Sequence, residues 1–166
     1  MKKLLIFISM LVFLCSCDPE RFFLPPYVGI WYVRNDASRN LYILASTVTF
    51  KADSVLIKPG DSTFIVKADY PYDKDLKFDQ ITHTNVTYPS AYVGFYRDPE
   101  FKSLIKGWHE SEADNPTGHK FLFSESSWSS SDPWHKNLGD RKDYYTYRSW
   151  TFAVTDDDLK AWEEER

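Results

Sequence analysis

Cys15 and Cys17 stand one residue apart at the end of an apolar run, and they are the only thiols in the 166-residue chain. A thiol can form a disulfide, hold a metal or carry an acyl group, and its surroundings decide which. Three histidines, His83, His119 and His135, are isolated in sequence. His109-Glu110-Ser111-Glu112 gathers three ligating side chains, but it lacks the HExxH spacing that sets two imidazoles on one helical face. Asp156-Asp157-Asp158 lacks the alternating acids of a calcium loop and reads instead as a helix start. The hydroxyls from Ser124 to Ser131 have no base in a readable relation to them. There is no G-x-S-x-G turn, and the six glycines are scattered rather than gathered into a phosphate loop. No catalytic residue, metal site or cofactor is expected.

Aromatic residues are the compositional outlier, with 6 Trp, 11 Tyr and 12 Phe. The stretch SESSWSSSDPWHKN, residues 124–137, sets Trp128 and Trp134 among Ser, Asp and Pro, and Tyr144, Tyr145, Tyr147 and Trp150 follow closely. Flat aromatics beside hydroxyl and amide groups suit sugar rings or a protein partner, because they combine apolar area with polar edges. Trp128, Trp134, Tyr144, Tyr145 and Tyr147 are therefore the candidate binding residues. The alternative is that the two tryptophans fold back as plugs over a small β core, and the sequence leaves both readings open.

Met1-Lys2-Lys3 is a short basic start, and Leu4 to Leu14 is apolar or nearly so. This is the layout of a secretory signal, and the run falls short of the roughly 20 residues that a membrane-spanning helix needs. Leu14-Cys15-Ser16-Cys17 resembles the lipobox of small Gram-negative bacterial lipoproteins. The resemblance implies that Leu14 is the residue three before the cut site's cysteine, that Ser16 precedes it, and that Cys17 is the lipidated residue. Residues 1–16, with Cys15, would then leave as a signal peptide. Such a cysteine would carry a diacylglycerol thioether and an N-acyl chain. Each buried lipid CH₂ contributes about 0.8 kcal/mol, and two or more chains anchor stably. The mature chain would hold no free thiol and no disulfide. Asp18 at the next position implies either retention at the inner membrane or, with Glu20, an acidic patch that accompanies export. The outer membrane or cell surface is the expected address.

Residues 17–26, CDPERFFLPP, contain three prolines and read as an extended tether. At ~3.3 Å per residue it holds the domain no more than ~30 Å from the lipid. Phe22, Phe23 and Leu24 either touch the membrane interface or cover one end of the core. Loss of Lys2 and Lys3 with the signal takes the formal net charge from −4 to −6. That balance argues against nucleic acid, whose binding rests on basic phosphate contacts.

Residues 27–166 read as a single domain of short strands. VGIWYVR (28–34) and LYILASTVTF (41–50) lead, the second with both faces partly apolar. SVLIK (54–58) and STFIVKA (62–68) flank Pro59-Gly60-Asp61 as a hairpin. LKFDQI (76–81), TNVTY (84–88), AYVGFY (91–96), KFLF (120–123) and YYTYRSWTFAV (144–154) follow. Two helices are expected. One is DPEFKSLIKG (98–107), with Asp98 as cap and Gly107 as stop; the other is TDDDLKAWEEER (155–166), capped by Thr155 and Asp158. Gly29-Ile30-Trp31 resembles the G-x-W of lipocalins. VRN, LYI and DSVLIKPGDSTFIV resemble the opening of immunoglobulin-like sandwiches in small bacterial lipoproteins. The expected fold is mostly β, a single immunoglobulin-like β-sandwich with two short peripheral helices, with a lipocalin-like β-barrel as the alternative. The expected function is a lipid-anchored envelope protein that binds glycan or an envelope protein through its aromatics. A lipocalin-like carrier of a small apolar ligand comes second and an envelope hydrolase third.

Overall fold

The computed structural model describes residues 27–47, 50–70, 77–78, 91–137 and 144–166. The signal and tether readings, Cys17, the strand at 84–88 and most of the one at 76–81 lie outside these residues. The described residues form a mostly β sandwich with one short α-helix. One sheet is ordered β4 (Ser62–Tyr70), β1 (Tyr27–Asn35), β9 (Tyr144–Val154), with β7 (Ser129–Ser130) and β8 (Trp134–Asn137) pairing successive stretches of the far edge of β9. The second sheet is ordered β3 (Phe50–Ile57), β2 (Leu41–Thr47), β5 (Tyr92–Tyr96), β6 (Leu104–His109). Neither sheet closes on itself, and among the described residues no ladder joins the two. The lipocalin-like barrel is therefore corrected to an open sandwich.

Alternation writes the core. On β1, Trp31, Val33 and Asn35 point inward; on β9, Trp150, Phe152 and Val154 do the same. The first and last strands run parallel with Trp31 opposite Trp150, and this register stacks the two indoles at 4.7 Å and 9°. Phe95 and Trp108 answer from the other sheet, meeting edge to face at 5.2 Å. Rings of this size fill the ~10 Å between sheets without long aliphatic chains.

The turn at 58–61 forms as expected, with Gly60 at φ 83°. The hairpin does not. β3 pairs with β2 and β4 with β1, so the turn passes the chain from one sheet to the other. The cause is Asn35, fully buried at the end of β1. Its side-chain N–H₂ donates to the carbonyls of Arg39 at 2.8 Å and Ile57 at 2.9 Å, and its oxygen accepts from the Ala37 N–H at 3.0 Å. Its backbone N–H donates to the Asp61 carbonyl, and its own carbonyl accepts from the Gly60 N–H. One residue thus ties β1, the 36–40 turn and the corner together. Asn35→Leu should destabilise the domain by about 2–3 kcal/mol in urea melts, since it leaves buried backbone groups unpaired.

The helix expected over 98–107 is absent. Asp98 does cap, accepting the N–H groups of Lys102 at 3.1 Å and Ser103 at 2.7 Å, but it closes a tight loop. Phe101 takes a left-handed φ of 55°, which ends any helix at its first turn. The chain then enters β6, where Ile105 and Trp108 are buried. KFLF is not a strand either. Phe121, Leu122 and Phe123 are all buried in succession, a pattern that an alternating strand open to solvent on one face cannot give. The second helix forms as expected as α1 (Asp156–Glu164). Thr155 caps it through the Asp158 N–H, and Leu159 and Trp162 are buried beneath it.

Candidate binding surface

An antiparallel sheet with one face in the core ordinarily turns polar residues to water. The second sheet does not. On β5, Val93 and Phe95 enter the core, so Tyr92, Gly94 and Tyr96 face outward. Register then aligns three outer rows. Leu56, Tyr42, Tyr96 and Leu104 form one; Ser54, Leu44, Gly94 and Gly107 the next; Ser46, Tyr92 and His109 the third. Leu56 is 44% exposed, Tyr42, Leu44, Tyr92 and Leu104 are half-buried, and His109 is exposed. No cation or carboxylate occupies these rows.

The glycine pair explains the shape of the surface. Gly94 and Gly107 lie opposite each other, and the Tyr92 ring lies flat across both. A Cβ on Gly94 would stand 2.5 Å from the Tyr92 hydroxyl oxygen, and one on Gly107 would stand 2.7 Å from it. Only glycine admits the ring so close to the backbone. The Tyr92 and Tyr96 hydroxyls are 3.1 Å apart and share a hydrogen bond. His109 packs beside Tyr92 with ring centroids 4.7 Å apart and planes tilted by 41°, and Phe101 packs edge-on against Tyr96 at 5.2 Å. Burial, then the Tyr96 hydrogen bond, push the Tyr92 phenol well above its ordinary value, so it stays protonated. The result is a tyrosine ring whose hydroxyl end is seated over two glycines, beside a second tyrosine and an imidazole.

A second polar cluster gathers at the start of α1. Asp158, 3% exposed, accepts from Lys120 Nζ at 2.6 Å, His119 Nε2 at 2.5 Å and the Thr155 N–H at 2.8 Å. Lys120 Nζ also donates to the Ala153 carbonyl at 2.9 Å. The His119 N–H donates to Glu165, and its carbonyl accepts from the Trp162 indole at 2.6 Å. His119 and Lys120 are fastened to α1 through Asp158, Trp162 and Glu165, and Lys120 also to the end of β9, so the cluster is a latch. Burial works to raise the Asp158 pKa, but the hydrogen bonds from Lys120, His119 and Thr155 outweigh it and hold the carboxyl below its ordinary value. The folded carboxyl therefore binds its proton less readily than the unfolded one. Its contribution is whole above pH about 4 and is withdrawn as pH falls through the lowered folded value. Asp158→Asn should cost roughly 2 kcal/mol at pH 7 and flatten the acid limb of a stability-against-pH curve.

The residues nominated from sequence are placed differently. Trp128 is corrected from candidate surface to core: it is 9% exposed, its indole donates to the Leu122 carbonyl at 2.6 Å, and it packs on Phe152 at 5.3 Å. Tyr147 is half-buried on β9, and Trp134 lies opposite it on β8. Tyr144 and Tyr145 begin β9; their side chains and that of Trp134 are outside those described. Sequence reading missed Tyr42, Tyr92, Tyr96 and His109. The available signal was the run LYIL, apolar at both parities, and the tyrosines two residues either side of Gly94. Among the described residues, no three His, Cys, Asp or Glu side chains gather closely enough to hold a metal ion. No helix among them is long and apolar enough to cross a membrane.

Comparison with protein-family models, with curated proteins and with solved structures finds no match for this chain.

Proposed function

We propose that this is a lipid-anchored envelope protein of binding type, which contacts glycan through the outer face of the β3–β2–β5–β6 sheet. The observation that carries the reading is the Tyr92 ring laid flat over Gly94 and Gly107. A pyranose offers a flat C–H face with hydroxyls around its rim. The Tyr92 ring offers a matching π-face, with the Tyr92 and Tyr96 hydroxyls and His109 as hydrogen-bonding edges. A protein partner would be met by the same apolar rows. The flat ring between polar edges favours sugar.

Immobilised-glycan screening of the mature domain tests this, with Tyr92→Ala beside it. Saccharide binding that falls roughly 10- to 30-fold in the variant supports the reading. Binding that is unchanged in the variant moves the site elsewhere. The anchor reading is supported by Leu14-Cys15-Ser16-Cys17, and the proposed address is the outer membrane or cell surface. Cys17→Ala should abolish incorporation of labelled palmitate and leave an uncleaved or unanchored product. Labelling that persists removes the anchor from the account.

A further inference from the structure

We infer that the platform selects against anionic saccharides, and that Glu110 and Glu112 set this selectivity. The inference deepens the glycan reading and rests on it. Beyond His109 the chain turns into Glu110-Ser111-Glu112, a single 3₁₀ turn held against the end of β5. The Glu110 N–H donates to the Ala91 carbonyl at 2.8 Å, and its carboxylate accepts the Ala91 N–H at 3.2 Å. The Glu112 carboxylate accepts the His109 N–H at 3.3 Å. One carboxylate is therefore held at Ala91, the residue before Tyr92, and the other at the backbone of His109 itself, at the Tyr92–His109 end of the platform. Asp114 follows, exposed. No lysine or arginine occurs between Gly107 and Gly118.

This arrangement gives one end of a neutral aromatic surface a fixed negative rim. A uronate, sialate, sulfate or phosphate on a bound sugar would meet two pinned carboxylates that no cation pairs among the described residues. Neutral sugars meet no such penalty, and amino sugars carrying an ammonium gain from the rim. The ligand class is thus neutral or amino-bearing glycan. Two carboxylates beside a ligand anion in water disfavour it by about tenfold at low salt, and less as salt rises.

The test titrates the mature domain with matched probes, a neutral oligosaccharide found by screening and its carboxylate-bearing counterpart of the same length. It is run at low and high salt, and repeated in Glu110→Gln/Glu112→Gln. Glutamine keeps a carbonyl acceptor for the Ala91 and His109 N–H groups, so the turn should persist; circular dichroism and the melting temperature check this. The expected result is about tenfold preference for the neutral probe, which narrows with salt and collapses in the double variant while neutral binding holds. Equal or tighter binding of the acidic probe by the wild type overturns the selectivity and leaves the glycan reading standing. So does a preference that survives in a folded double variant. No binding of any saccharide overturns both.

Discussion

Trp162→Ala should destabilise the domain by about 3–5 kcal/mol, most of the margin of a domain at the low end of the usual range of about 5–15 kcal/mol. Trp162 is fully buried although it sits near the end of the chain. Its ring lies 5.2 Å from Trp108, 5.9 Å from Phe95 and 6.4 Å from Phe152, so it touches both sheets at once. Its indole N–H also satisfies the His119 carbonyl at 2.6 Å. Alanine would leave a cavity bounded by rigid rings, which collapse poorly, and would orphan a carbonyl. Trp162→Phe keeps most of the packing and should recover more than half of the loss. Chemical denaturation of the two variants checks this; a small effect for alanine would mean that α1 is a loosely held appendage.

Gly94→Ala should weaken glycan binding by tenfold or more while leaving the melting temperature within a few degrees of wild type. The new methyl would stand 2.5 Å from the Tyr92 hydroxyl oxygen and 2.9 Å from a ring carbon of Tyr96. Tyr92 must then lift off the sheet, and the flat platform is lost. Val93 and Phe95 can keep their places in the core, because Gly94 faces outward between them; the buried Tyr96 ring need only give by a few tenths of an ångström. Loss of binding without loss of fold would separate platform geometry from stability. Equal loss of both would show that the tyrosine stack is chiefly structural.

Much of the sandwich is legible in the sequence because one periodicity writes both strand and burial. YYTYRSWTFAV and VGIWYVR alternate, and their inward residues are the core. Thr155 and Asp158 cap a helix in sequence as they do in space. Other segments misled for definite reasons. Asp98-Pro99 and Gly107 are fair helix punctuation, but Phe101 turns left-handed, and Gly107 is small to admit a tyrosine ring rather than to stop a helix. The Pro59-Gly60-Asp61 turn is read correctly, yet only Asn35, twenty-odd residues upstream, decides that its flanking strands part company. For Trp128 the sequence leaves surface and core both open, because nothing local reveals the Leu122 carbonyl that receives its indole.

The platform was half visible. LYIL is apolar at both parities, which already says that this sheet has no purely polar face. What the sequence withholds is the alignment of Gly94 with Gly107 across two strands, since register is a long-range property. The same holds for the latch, where His119, Lys120 and Asp158 come together only when the chain closes.

The most direct measurement is a map of backbone and aromatic chemical shifts in the mature domain, titrated with a saccharide that the screen retains. The account predicts perturbations centred on Tyr92, Gly94, Gly107 and His109 and extending to Tyr42 and Tyr96. Perturbations centred instead on Ser129–Ser131, Trp134 and Tyr147, with the Tyr92 resonances unmoved, would contradict it.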